Sequence, residues 1–116
     1  NIDNCTAQRL TLTNGDGAIG GICGRKGGGY IRNCNGLNLT ISCRSGFTGY
    51  VQALGGICGI DSWSSEGVII SDCSVSSSSF TGNCWTGAIL GAKYFAGDNN
   101  AVINCYTDTT YDLIGD

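Results

Sequence analysis

The stretch Gly20-Gly21-Ile22-Cys23-Gly24 decides how this chain folds, because it recurs along the sequence. It returns as residues 55–59 and 87–91, and in a degenerate form as residues 111–115. A second phrase alternates with it and always ends on a cysteine: Ile2–Cys5, Ile31–Cys34, Ile70–Cys73 and Val102–Cys105. Two phrases that alternate four times mark an internal repeat, and repeats of this length are typical of solenoids and propellers.

The segments between the two phrases have the pattern of short strands. Residues 10–13 (Leu-Thr-Leu-Thr) and 39–42 (Leu-Thr-Ile-Ser) alternate apolar and polar side chains, and Phe80-Thr81 stands in the matching place of the next repeat. This alternation, bounded by glycine, favours strands over helices. Each repeat is therefore predicted to be one coil of about three short strands with glycine corners. The longest repeat predicts an insertion around residues 62–67.

We expect residues 1–116 to form a single all-β domain, a right-handed parallel β-helix (β-solenoid) of about four coils. A lone coil cannot bury its apolar side, whereas stacked coils can, because each strand pairs with its equivalent about 4.8 Å away. Equivalent residues then form inward columns. These are Ile2, Ile31, Ile70 and Val102; Leu12 and Ile41; and Ile22, Ile57, Ile89 and Leu113.

Composition limits the partners and the location. The net charge is −3, only 13% of residues are charged, and the six basic residues are scattered, so no basic stripe for nucleic acid is present. No apolar run is long enough to span a membrane. Eight cysteines without histidine or a CxxC motif favour disulfides over metal and hence a secreted, extracellular or cell-surface protein. The mature chain is expected to start near Asn1, after removal of a leader.

The cysteines fall into three columns of the predicted stack, each with an even number. Cys5, Cys34, Cys73 and Cys105 form the first, Cys23 and Cys58 the second, and Cys43 and Cys84 the third, with Asn14 at the first coil. Neighbouring coils lie close to the separation that a disulfide requires. We predict the bonds Cys5–Cys34, Cys73–Cys105, Cys23–Cys58 and Cys43–Cys84. In the alternative, Cys34 pairs with Cys73, which leaves Cys5 and Cys105 at opposite ends of the stack, free to bridge to neighbouring copies.

The residue before each cysteine of the first column is Asn or Asp: Asn4, Asn33, Asp72 and Asn104. Asparagine tolerates the left-handed conformation and satisfies backbone groups at turns. We therefore predict an asparagine ladder at one corner of the solenoid, in which Asp72 is a structural substitute and not a catalytic acid.

The alternation of a G-G-I-x-G phrase with an I-x-N-C phrase resembles the GLUG-motif repeats of secreted and surface bacterial proteins. The best segments are residues 18–34 and 54–73, and the resemblance extends over most of the chain. It implies a β-solenoid, an extracellular setting, and a role in adhesion or surface structure. It brings no catalytic residues, and the many cysteines depart from the family pattern.

The residue types and their spacing predict neither an enzyme nor a bound cofactor. Without histidine, no Ser-His or Cys-His nucleophile can be built. Asp61 and Glu66 are a close acid pair, as glycosidases require, but they are interpreted as a solvated loop. Residues 98–100 (Asp-Asn-Asn) carry oxygen ligands suited to calcium and are interpreted as a turn.

Two further features are candidates for surface function. Asn38 begins the sequon Asn-Leu-Thr and is predicted to start a strand, where it would accept a glycan. Aromatic side chains on loops often hold sugars or partner subunits, and the candidates for such an interface are Trp63, Trp85, Tyr94 and Phe95.

The predicted function follows from the ends of the stack. Solenoid ends expose unpaired strand edges, and natural ones usually carry a cap; the sequence indicates none. We therefore expect a non-enzymatic structural subunit that stacks head to tail with copies of itself into a filament or surface fibre. The alternative is a binding module, either an adhesin fragment that contacts glycans or cell-surface components, or an ice-binding protein. Its outward rows would be Thr11 with Thr13, Thr40 with Ser42, and Thr81 with Asn83.

Overall fold

The computed structural model describes residues 1–44, 52–61, 67–93 and 101–115, and every regular element within these ranges is a β-strand. The first coil contains β1 (Ile2–Asp3), β2 (Thr6–Gln8), β3 (Thr11–Gly15), β4 (Ala18–Gly20) and β5 (Cys23–Lys26). The second contains β6 (Gly29–Arg32), β7 (Asn35–Leu37), β8 (Thr40–Cys43), β9 (Ala53–Gly55) and β10 (Cys58–Asp61). The third contains β11 (Val68–Ser71), β12 (Ser74–Ser76), β13 (Ser79–Thr81), β14 (Trp85–Gly87) and β15 (Leu90–Lys93). The fourth contains β16 (Ala101–Ile103) and β17 (Tyr106–Thr107).

The coils stack into five parallel sheets, which confirms the predicted β-solenoid. Two sheets have four strands, in the orders β1-β6-β11-β16 and β2-β7-β12-β17, and three have three strands, in the orders β3-β8-β13, β4-β9-β14 and β5-β10-β15. Each full coil thus carries five short strands. The prediction of about three strands per coil was wrong, because the left-handed corners at Asn4, Arg9 and their equivalents carry no glycine that would mark a strand end in the sequence.

The apolar columns predicted from the repeat are confirmed. Ile31 pairs in register with Ile2 and Ile70, and Ile70 pairs with Val102. Ile41 pairs with Leu12 and Phe80. Backbone hydrogen bonds join the third column, Ile22 to Ile57, Ile57 to Ile89 and Ile89 to Leu113. The middle members, such as Ile31 and Ile57, are fully buried, so the core is a stack of like residues.

Left-handed residues form the corners between the first three strands of each coil. Asn4, Asn33, Asp72 and Asn104 have φ between 54° and 57°, which confirms the left-handed corner predicted for the asparagine ladder. The Asn104 amide donates to the Asp72 carboxylate at 2.5 Å, and the Asn33 amide donates to Asp3 at 3.1 Å. A second left-handed corner follows at Arg9, Asn38 and Ser77. Asn38 is exposed there, before β8 and not at its start as predicted.

The G-G-I-x-G phrase builds a seam where the fourth and fifth strands of each coil lie back to back. We call this the glycine seam: Gly20, Gly24, Gly55, Gly59, Gly87, Gly91 and Gly115. A Cβ added at Gly91 would lie 2.6 Å from the carbonyl oxygen of Gly59 and 2.7 Å from that of Leu54. The glycines therefore serve close backbone approach between two sheets, a contact that any side chain would block.

An irregularity in the pairing of β3 with β8 corrects the predicted third cysteine column, which was to hold Asn14, Cys43 and Cys84. The pairing of β3 with β8 shifts between Leu12 and Gly15, so that Gly15, and not Asn14, lies level with Cys43. This is a β-bulge, in which one strand has an extra residue opposite its partner. The strand bounds also place extra chain at residues 44–52 of the second coil, in addition to the insertion predicted around residues 62–67, most of which lies outside the described residues.

The two ends of the stack differ. At the first coil β1 to β5 are all outer strands of their sheets, and Ile2, Leu12 and Ile22 are only half-buried there. At the other end Tyr111 closes the β13 edge: its hydroxyl donates to the Phe80 carbonyl oxygen at 2.7 Å and accepts from the Phe80 amide at 3.3 Å. The prediction of an uncapped stack was therefore wrong at this edge, because a tyrosine side chain replaces the next strand.

Candidate functional site

The first cysteine column is the most regular array of reactive groups among the described residues. Cys5, Cys34, Cys73 and Cys105 each follow a left-handed corner, and each thiol donates to the carbonyl oxygen two residues before it, at 3.6, 3.2, 3.2 and 3.4 Å in chain order. Backbone hydrogen bonds between neighbouring coils hold these corners one above another, for example from the Asn35 amide to the Cys5 carbonyl oxygen at 2.9 Å. The four sulfurs therefore point the same way in successive coils.

Neighbouring thiols of the first column interact. The Cys34 thiol contacts those of Cys5 and Cys73, and burial raises its pKa. The hydrogen bond between Cys73 and Cys105 raises the pKa of Cys73 and lowers that of Cys105 to about 7. A shared proton has this effect, because it stabilises one partner as a thiolate and keeps the other protonated.

The other two columns place their cysteines as predicted. Cys58 pairs in register with Cys23 on one side and Leu90 on the other. The hydrogen bond from Cys58 lowers the pKa of Cys23 to about 6. The sulfurs of Cys43 and Cys84 are 2.7 Å apart, and burial raises the pKa of Cys84 to about 12.

All eight cysteines are thiols in this structure. Each predicted pair lies on neighbouring coils, which places it within the range that a disulfide can bridge. In the first column Cys34 has a neighbour on each side, so both predicted pairings stay open. The four disulfides remain predictions.

Asp61 lies at the end of β10 and is only 1% exposed. Its Cα is in register with those of Lys26 and Lys93, so lysines flank it on the neighbouring coils. The interpretation of Asp61 as part of a solvated loop was wrong, because the chain leaves the sheet only after this residue. Glu66, its predicted neighbour, lies outside the described residues.

The remaining surface candidates are separated or fall outside the description. Trp85 begins β14 and is 44% exposed. Trp63, Tyr94, Phe95 and residues 98–100 lie outside the described residues. The structure therefore describes one member of the predicted aromatic interface, and it does not show the four together.

Outward hydroxyls line the sheet formed by β3, β8 and β13. Thr40 pairs in register with Thr11 and Ser79, and Ser42 pairs with Thr81. The third row is thus Ser79 with Thr81, and not Thr81 with Asn83 as predicted. The serine run at residues 76–79 hides this register, because its residues have no apolar alternation.

Comparison with protein families, with curated proteins and with solved structures finds no match for this chain. The described part of the chain contains no helix long and apolar enough to cross a membrane. Within the same residues no three side chains of His, Cys, Asp or Glu are grouped so that they could hold a metal ion.

Proposed function

We propose that this protein is a non-enzymatic extracellular structural subunit that stacks head to tail with copies of itself into a filament or surface fibre. The observation that carries the proposal is the first coil, where the five strands β1 to β5 are outer strands of parallel sheets. Such edges accept a further parallel strand. An end-to-end contact that does not close produces a fibre.

The columns support one register for this contact. β1 and β16 are the opposite edges of one sheet, and β2 and β17 those of another. Adding β1 of one copy to β16 of the previous copy would place Ile2 on Val102 and Cys5 on Cys105, which continues both columns. The other three sheets of the next copy would meet residues 108–115. This segment runs alongside the chain of β14 and β15 and is joined to it by hydrogen bonds such as that from the Ile89 amide to the Leu113 carbonyl oxygen.

We expect the wild-type protein to form linear particles whose mass rises with concentration, as measured by sedimentation velocity and negative-stain microscopy. Ile2→Lys should leave a folded monomer, because it puts a charge into the half-buried end of an apolar column. Ile69→Lys is the control, since Ile69 is 45% exposed on the side of the stack. The proposal fails if the wild type stays monomeric at high concentration, or if only Ile69→Lys abolishes assembly.

A second candidate is a binding module, as an ice-binding protein or an adhesin fragment, and the stacked hydroxyls of Thr11, Thr40 and Ser79 favour it. Hydroxyls at the coil spacing of about 4.8 Å form a regular uncharged row. If this row binds ice, the protein should show thermal hysteresis, and Thr40→Tyr should abolish it. Ser74→Tyr, on the neighbouring sheet, should leave it unchanged. No hysteresis in the wild type removes the ice-binding alternative.

A further inference from the structure

The first cysteine column connects the two ends of the solenoid through sulfur atoms alone. Cys5 is exposed on the first coil and Cys105 is half-buried on the last, whereas Cys34 and Cys73 between them are 0% and 2% exposed. The Cys34 thiol contacts both Cys5 and Cys73, and Cys73 contacts Cys105. A reagent in solution can therefore enter the column at its ends, and the middle sulfurs can react only with their neighbours.

We propose that the oxidised first column is a thiol–disulfide relay, which takes up a thiolate at Cys5 and releases one at Cys105. The substrates are small thiols and, if copies stack as proposed above, the Cys105 thiolate of a preceding copy. The oxidised state is the predicted pair of bonds Cys5–Cys34 and Cys73–Cys105. A disulfide oxidant such as oxidised glutathione produces it, with each bond formed reducing one oxidant molecule to two thiols.

The relay consists of two exchange steps. An incoming thiolate attacks the Cys5 sulfur, a new bond forms there, and the Cys5–Cys34 bond breaks with its electron pair leaving on Cys34. The Cys34 thiolate then attacks Cys73, which forms Cys34–Cys73 and releases the electron pair on Cys105. One thiolate enters and one leaves, two disulfides exist before and after, and no net oxidation or reduction occurs.

The stacked geometry makes the second step possible. The thiols of Cys34 and Cys73 hydrogen-bond in the same way to the carbonyl oxygens of Arg32 and Ser71, both at 3.2 Å. The Cys73 thiol also lies 3.8 Å from the carbonyl oxygen of Ile31, on the coil of Cys34. Because a coil spacing of about 4.8 Å falls in the Cα range of a disulfide, about 4.4–6.8 Å, Cys34 can bond either neighbour without movement of the coils.

In a filament the relay would make covalent growth self-propagating. The Cys105 thiolate released at the far end of one copy lies one coil from Cys5 of the next, which it attacks in turn. One initiating thiol would then join many copies through Cys105–Cys5 bonds. This step rests on the proposed stacking, whereas the two exchange steps inside one copy do not.

The test therefore uses dilute, monomeric wild-type protein. The protein is oxidised with oxidised glutathione until no free thiol remains and treated with one equivalent of reduced glutathione. The reaction is stopped with acid, free thiols are labelled with N-ethylmaleimide in guanidinium chloride so that a buried thiol such as Cys34 also reacts, and the protein is digested with trypsin without reduction. Cleavage after Arg9 and Lys93 leaves Cys5 and Cys105 as the only cysteines of the first and last tryptic peptides, 1–9 and 94–116. We expect glutathione on peptide 1–9 and N-ethylmaleimide on peptide 94–116, each in most of the reacted molecules.

Two variants are the controls. With Cys73→Ser and Cys105→Ser together, the reaction should stop after the first step and leave the maleimide on Cys34. With Cys43→Ser and Cys84→Ser together, the relay should run as in the wild type, because these residues form a separate column. Maleimide on Cys34 in the wild type, glutathione outside Cys5, or Cys34–Cys73 as the starting bond would each overturn the relay. Because the readout is monomeric, failure of stacking leaves this result unaffected, and failure of the relay leaves noncovalent stacking intact.

Discussion

Replacing Gly59 with alanine is expected to destabilise the protein by about 3 kcal/mol or more, at the upper end of the cost of overpacking. The added Cβ would lie 2.6 Å from the carbonyl oxygen of Gly24, 2.6 Å from the amide nitrogen of Ile19 and 2.9 Å from the carbonyl carbon of Ala18. All three are backbone atoms, which cannot move aside as a side chain can. Relief would require two sheets to separate along the glycine seam.

Thermal unfolding followed by circular dichroism measures this effect, and two variants calibrate it. Gly24→Ala, at the same place in the first coil, should cost less, because its Cβ meets one backbone atom within 3 Å, the carbonyl oxygen of Ala18 at 2.9 Å. Gly17→Asn should cost less than Gly59→Ala, because no atom lies within 4 Å of the added Cβ. Its remaining cost is the backbone strain of φ +76°, which asparagine tolerates better than most side chains. Equal melting temperatures for Gly59→Ala and Gly17→Asn would contradict the close-approach role of the seam.

Ile70→Ala should lower the free energy of unfolding by about 2–5 kcal/mol. Ile70 is 1% exposed and pairs in register with Ile31 and Val102, so the truncation leaves a cavity inside a column. The neighbouring coils cannot collapse into it, because their strands are held at a fixed spacing by parallel hydrogen bonds.

The matched control is the preceding residue of the same strand. Ile69 points outward and is 45% exposed, so Ile69→Ala removes the same atoms from the surface and should change stability by about 0.5 kcal/mol or less. Chemical denaturation of both variants measures the difference. Similar losses for the two would mean that the alternation along β11 does not separate core from surface.

The stacking could be predicted from the sequence because identical residues recur at each coil. Ile2, Ile31, Ile70 and Val102 pair in the predicted register, and their shared phrase leaves no other alignment. The asparagine corners were equally visible, since Asn and Asp are, after glycine, the residues that adopt the left-handed conformation most readily.

Other features were hidden because the residues involved give no local signal. Arg9 and Ser77 occupy left-handed corners with φ of 55° and 52°, and neither residue type predicts one. Tyr111 replaces a strand through its side chain, packed edge-on against Phe80 with the ring centres 5.0 Å apart. The register of Ser79 is concealed by the serine run around it. All of these features depend on contacts between residues of different coils, which lie far apart in the sequence and leave no local pattern.

The cysteine columns, too, were predictable in one respect and not in another. Their alignment follows from the repeat, and the structure places the predicted partners on neighbouring coils. Which sulfur of the first column bonds to which is a separate matter, because Cys34 has equivalent neighbours above and below. The repeat therefore predicts where each cysteine lies in the stack, but it does not predict which two cysteines of the first column form a disulfide.

The like-on-like columns of the inner coils do not by themselves specify how many coils there are. In a closed β-barrel, strand number, tilt and stagger must agree for the sheet to close on itself. In this solenoid, each coil pairs only with the equivalent strands of the coil beside it. Gain or loss of a whole coil by gene duplication or deletion would therefore preserve every pairing in the rest of the molecule. Such a protein can therefore become longer or shorter through a change in the number of repeats in its gene, without a change in the residues of its core.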